Sequence, residues 1–154
     1  MNKTIYFDMD GTVADLYNSI GWLDKLENQE VGAFVDLEPM VDMDELARVC
    51  NSLQAQGWTI GVITWLPMRA SELYETECSE EKHLWISKHM PYVQEMYCQP
   101  YGTPKQYAPR QQGGTMVLVD DNKEVRQMWE NKRNRTTIDA TKDIIAELGK
   151  LLRD

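Results

Sequence analysis

The chain has 154 residues, 42% of them hydrophobic, and 16 Lys and Arg against 25 Asp and Glu give it a net charge of −9. That length fits one domain able to bury roughly 70% of the surface its unfolded form exposes, without disulfides or a structural metal. The acidic balance disfavours polymeric nucleic acid as a partner, and three cysteines with no CxxC pair (Cys50, Cys78, Cys98) point to a reducing cytoplasm rather than a disulfide framework or a thiolate zinc centre.

Residues 3–8, KTIYFD, are rich in β-formers and run into an Asp10-Gly11 turn, which predicts a first strand. Over residues 12–27, Val13, Leu16, Tyr17, Ile20, Leu23 and Leu26 recur every three or four positions, so a helix is expected there, with Gly21 weakening its middle. Residues 28–39 have no sustained period and read as a short cap-like insertion. A second helix is expected over 42–56, stopped by Gly57. Residues 58–64 are almost continuously apolar, the pattern of a parallel strand buried on both faces. A polar loop to Ser79 then precedes a helix over 80–89, a weaker strand over 93–98 and a proline-rich loop over 100–109. Gly113-Gly114 introduces a strand over 115–119, followed by a helix over 122–131, a strand over 135–138 and a helix over 141–152. This alternation predicts an α/β three-layer sandwich with a Rossmann-like, mostly parallel sheet, as a single domain over residues 1–154. Residues 1–10 lack an apolar stretch of signal-peptide length, and no run approaches ~18 apolar residues, so a soluble protein with no membrane partner is expected.

In open α/β sheets ligands bind beyond the carboxyl ends of the strands. The residues predicted at those ends are Asp8 and Asp10 with Gly11-Thr12, then Thr64-Trp65, and finally Asp120-Asp121. Four uncompensated carboxylates at one rim repel one another, and a divalent cation relieves that repulsion most simply. An oxygen-only donor set favours magnesium; His83 and His89, the two histidines, fall together on one helix and give a zinc centre little support. Asp8 and Asp10, two residues apart on an extended strand end, project to the same side. Two such carboxylates in different environments can divide nucleophile and acid–base roles. The Thr64 hydroxyl and the Trp65 amide can bind a phosphate oxygen, and Lys105, in the loop YGTPK, can offset its charge. Singly, each of these residues has an ordinary use as turn, cap or solvated lysine; together they point to one site.

The ordered set Asp8-Met9-Asp10-Gly11-Thr12-Val13-Ala14-Asp15, Thr64, Lys105 and Asp120-Asp121 resembles the four motifs of the haloacid dehalogenase-like phosphohydrolase superfamily, across residues 4 to about 130. Within it, DMDGTVADL, the helix carrying Lys82, Trp85 and Lys88 and ending in Met90-Pro91, and PYGTPK resemble the 5′(3′)-deoxyribonucleotidase-like group and its small phage and bacterial relatives. The resemblance implies a magnesium-dependent phosphomonoester hydrolase acting through an aspartyl phosphate. Asp8 would attack phosphorus, while Asp10 would protonate the leaving oxygen and then activate water. Thr64, with Trp65 beside it, would hold the phosphoryl group, and Lys105 would offset its charge. Magnesium would be held by Asp8, the Asp10 carbonyl, Asp120 and Asp121. Lys82 or Lys88 could take the lysine role instead; Lys105 is preferred because it lies shortly before the last acidic motif.

In this superfamily an inserted cap shapes the substrate pocket. Here only residues 28–39 are left for it, a minimal cap that implies an open site. Tyr17, Trp22, Phe34 and Trp65 could form an aromatic wall for a base, so the expected partner is a small phosphomonoester, a nucleoside monophosphate. The alternatives are a phosphatase of sugar phosphates or other small esters, and a non-catalytic magnesium-binding acidic interaction module.

Overall fold

In the computed structural model, which describes residues 2–153, the β-branched and aromatic runs form the sheet. Its strands are β1 (Lys3–Phe7), β2 (Trp58–Trp65), β3 (Glu95–Gln99), β4 (Thr115–Asp120) and β5 (Arg135–Asp139). They lie in the order β3-β2-β1-β4-β5, and every pairing is parallel. The helices are α1 (Trp22–Glu27), α2 (Met43–Ala55), α3 (Glu72–His89), α4 (Lys123–Glu130) and α5 (Ile144–Gly149). Alternation along the strands sorts the core into two layers. Ile5, Phe7, Ile60, Val62, Val117 and Val119 pack with Leu46, Val49 and Leu53 of α2, Trp85 of α3, and Ile144 and Leu148 of α5. Tyr6, Ile63, Met116 and Leu118 face the other way, under Trp129 of α4. The fold is the three-layer α/β sandwich with a Rossmann-like sheet. No helix among the described residues is long and apolar enough to cross a membrane.

Strand order places the site. The chain leaves β1 toward β2 but leaves β4 toward β5, so the carboxyl ends of β1 and β4 flank the point where the winding reverses, the place where such sheets open a crevice. Phe7 lies in register with Val119, and the Asp8 amide donates to the Val119 carbonyl at 2.9 Å. The next residues on the two strands, Asp8 and Asp120, therefore meet at the rim.

Three expected helices differ from the structure, and the one over 141–152 is present only as α5, Ile144–Gly149. The helix over 12–27 exists only as α1, at its end. The Met9 carbonyl accepts from the Thr12, Val13 and Ala14 amides at 3.2, 3.0 and 2.9 Å, winding the chain into a compact turn. Ala14 then forms bridges to Asp10 and Pro39. Val13 and Leu16 are buried by that turn, whereas Ile20 is 93% exposed, so the three-and-four spacing does not correspond to one buried face. Helix α3, conversely, begins at Glu72 with Ser71 capping the Tyr74 amide, and Ser79 lies inside it rather than at its start. Its inward stripe is Cys78, Glu81, Lys82 and Trp85, two of them charged. A hydrophobic pattern cannot register a buried face built this way.

The segment 28–39 carries no helix or regular strand, yet it is pinned to α3. Glu81 accepts from the Gly32 amide at 3.0 Å and the Phe34 amide at 3.1 Å, and the Trp85 indole donates to the Leu37 carbonyl at 2.8 Å. Hydrogen bonds to a charged group are worth about 1.5–3 kcal/mol each, so a buried carboxylate is a firm anchor for an irregular segment.

Candidate functional site

The β1 end emerges as Asp8-Met9-Asp10-Gly11. Phe7 and Met9 are fully buried in the core, while Asp8 and Asp10 line a cavity of about 650 Å³. Gly11 has φ +77°, and a Cβ there would lie 2.5 Å from Asp121 Oδ2 and 2.7 Å from the Tyr17 ring, so this turn needs glycine both for its conformation and for the space. The cavity size falls within the ~300–1,000 Å³ usual for small-molecule sites.

On the floor, Asp8 has both oxygens engaged. Lys105 Nζ donates to Oδ1 at 2.9 Å and Thr12 Oγ1 to Oδ2 at 3.1 Å. Lys105, in a 3₁₀ turn over Lys105–Tyr107, also meets Asp120 Oδ2 at 2.8 Å. Burial works to lower the Lys105 pKa, but the Asp8 and Asp120 carboxylates outweigh it and hold the ammonium above its ordinary value. Asp120 is turned by its other oxygen, which accepts from the Asn122 amide at 2.9 Å as α4 begins. Burial, followed by the Asp8 charge, pushes Asp120 up to about 6, with Lys105 pulling the other way. Burial and then Asp8 push Asp121 up to about 7.

Asp8, Asp120 and Asp121 each offer an oxygen, and these atoms lie within 4.8 Å of one another. Three carboxylates facing a single lysine leave negative charge unbalanced, and an all-oxygen set of this kind has the chemistry of a hard divalent cation site.

Asp10 is arranged differently. Its Oδ2 takes a 2.7 Å bond from Lys82 Nζ, while its buried Oδ1 has no partner among the described residues. Burial pushes this carboxyl above the ordinary range against the pull of Lys82. Lys82 is completely buried and also donates to Thr64 Oγ1 at 2.8 Å and to the Trp65 carbonyl at 2.7 Å.

Of the residues predicted from sequence, Asp8, Asp10, Trp65, Lys105, Asp120 and Asp121 all line the cavity. Thr64 lies beneath it, fully buried, and is connected to it through Lys82. Lys88 is exposed on α3 and away from the cavity lining. The Trp65 indole donates to the Thr103 carbonyl at 2.7 Å and its ring lies 5.2 Å from Tyr101, which fixes the side chain at the cavity edge. Tyr17 and Trp22 meet edge to face at 5.0 Å. The wall above the floor therefore includes Leu16, Tyr17, Trp22, Leu23, Leu26 and Glu27 as well as Phe34, so it extends beyond the insertion read from sequence.

Sequence reasoning gave no role to Thr12, which fixes Asp8, or to Glu81, which holds the Phe34 segment. It weighed Lys82 only as a substitute for Lys105, although both lysines serve the site. The adjacent charged pair Glu81-Lys82, in phase with Cys78 and Trp85, is the signal that could have found the buried face. No protein-family model matches the chain, and no curated protein matches it.

Proposed function

We propose that this protein is a magnesium-dependent phosphomonoester hydrolase of the haloacid dehalogenase-like type, acting through an aspartyl phosphate on a nucleoside monophosphate. The observation that carries this reading is the unequal partnering of two carboxylates on one cavity wall. Asp8 is held at both oxygens, by a lysine and a threonine, whereas Asp10 is held at one and keeps the other free. A carboxylate fixed at both oxygens suits nucleophilic attack, and a carboxyl raised by burial at the cavity wall suits proton transfer.

In the first step an Asp8 oxygen bonds to phosphorus as the ester P–O bond breaks, and the departing alkoxide leaves as the alcohol with the proton of Asp10. In the second, Asp10 takes a proton from water, whose oxygen attacks phosphorus and splits the aspartyl phosphate. Inorganic phosphate departs, and Asp8 and Asp10 return to their starting forms. Lys105 has placed two of its three N–H donors on Asp8 and Asp120, leaving one for a phosphoryl oxygen. Thr64, beneath the cavity, accepts from Lys82 and so retains its own hydroxyl proton. Asp8, Asp120, Asp121 and the Asp10 carbonyl would hold magnesium, which when bound offsets charge on the phosphoryl oxygens.

The aromatic lining formed by Tyr17, Trp22, Phe34, Trp65 and Tyr101 supports a substrate with a flat, apolar body beside its phosphate. Stacking of a base on such a side chain is worth ~1–3 kcal/mol. The three free thiols suit a reducing compartment, and we assign the protein to the cytoplasm.

The test is phosphate release from deoxy- and ribonucleoside monophosphates, sugar phosphates and an aryl phosphate, with and without magnesium, with Asp8→Asn as control. Magnesium-dependent release that disappears in the variant is expected. No release from any ester by the wild type, or wild-type rates in Asp8→Asn, would overturn the reading.

A further inference from the structure

Two buried lysines reach the carboxylates at the end of β1, and the way each uses its donors separates them. An ammonium has three N–H groups and accepts nothing. Lys105 uses two of them on Asp8 and Asp120 and lines the cavity. Lys82 uses all three, on Asp10 Oδ2, Thr64 Oγ1 and the Trp65 carbonyl, at 2.7, 2.8 and 2.7 Å, and does not line the cavity. The Phe34 ring covers it at 4.6 Å from Nζ, and that ring does line the cavity. A lysine with no donor left and an aromatic ring over it is not built to touch a ligand. Burying an ammonium so completely is costly unless each donor is met, so the arrangement is a fully satisfied one.

We propose that Lys82 is a positioning residue that fixes the Asp10 carboxyl at the cavity wall and the Thr64 hydroxyl beneath it, without contacting substrate itself. This inference rests on the phosphohydrolase reading above. The hydrogen-bond polarity supplies the mechanism. Because Lys82 can only donate, Asp10 Oδ2 must accept, so rotation of the carboxyl is stopped with the group held at the cavity wall. For the same reason Thr64 Oγ1 must accept, so its own proton is turned away from Lys82. One cation thereby orients both groups from behind. The backbone bond to the Trp65 carbonyl ties the same point to the end of β2, and Glu81, the preceding residue, holds the amide of Phe34.

The experiment compares kcat/KM, which reports the step in which the leaving group departs, for 4-nitrophenyl phosphate, whose phenolate leaves without a proton, with kcat/KM for phenyl phosphate and an alkyl phosphate, whose leaving groups need one. The enzymes are the wild type, Lys82→Met, Lys82→Gln and, as a control, Lys88→Met on the exposed side of α3. General acid catalysis supplies about 10²–10⁴ in rate. Lys82→Met is therefore expected to lose roughly 100-fold or more on the alkyl ester and under about 10-fold on 4-nitrophenyl phosphate, with Lys88→Met unchanged. Lys82→Gln keeps two donors and is expected to recover part of the alkyl-ester rate. It also provides the comparison with wild type if the methionine variant melts below the assay temperature. Equal losses on all esters would show a merely structural lysine and overturn the proposal while leaving the phosphohydrolase reading intact. A wild type inactive on every ester would remove both.

Discussion

Replacing Asp121 by Asn tests whether the acidic floor is a cation site held together at a cost. Asp121 faces Asp8 and Asp120, and burial followed by the Asp8 charge lifts it from the ordinary 3.8 to about 7. At ~1.4 kcal/mol per pH unit, that rise sets a ceiling of about 4 kcal/mol on the repulsive cost, and partial exposure of the carboxyl reduces the figure to roughly 1–2 kcal/mol. Between about pH 4 and 7 the folded form holds a proton that the unfolded form has released. Wild-type stability contributed by this group therefore falls as pH rises across that window and is level above it. Asn keeps the shape of the side chain beside the Thr12 hydroxyl, which lies 3.4 Å from Asp121 Oδ1, and removes the charge. Without magnesium, the variant should match the wild type near pH 4 and melt a few degrees higher at pH 8. Magnesium should reverse that order, because the wild type gains about 2.7 kcal/mol at a hundredfold excess over its dissociation constant and the variant gains little. Thermal melts at pH 4, 6 and 8 with chelator or magnesium measure this. A variant less stable than wild type at pH 8 in chelator, or an equal magnesium gain in both, would refute the cation-site reasoning.

Two further substitutions probe the cavity walls. Glu81→Ala leaves the Gly32 and Phe34 amides without their carboxylate acceptor; chemical denaturation should show a loss of about 2–4 kcal/mol, accompanied by faster proteolysis within 28–39. Trp65→Ala should raise KM for nucleoside monophosphates about tenfold and much less for a small aryl or alkyl phosphate. Equal changes in both would exclude stacking on that ring.

How far each part could be read in advance follows from what buries it. The strands around residues 58–64 and 115–119 are apolar on both faces because the sheet is covered on both sides, and continuous apolarity survives in the sequence. Each of these two strands in fact runs one residue further, to Trp65 and Asp120. Asp8 and Asp10 were legible because strand alternation alone puts them on one side. The false helix at 12–27 arose because a turn wound on the Met9 carbonyl buries Val13 and Leu16 at spacings that a helix would also produce. Helix α3 begins seven residues before Ser79, at Glu72, and its inner face carries Glu81 and Lys82, whose burial is made tolerable by partners distant in sequence: Gly32, Phe34, Asp10 and Thr64. Those partners are tertiary facts, and no local period encodes them.

The Phe34 ring also acts as electrical insulation. Charges attract in inverse proportion to the dielectric around them, and the ring keeps water from the Lys82 ammonium on the side nearest the cavity. With the ring in place the bond to Asp10 acts at close to full strength; lifting it would let solvent compete for the same ammonium and slacken the carboxyl. The segment that looked from sequence like a loop without period is thus also the dry seal over the buried wiring of the site.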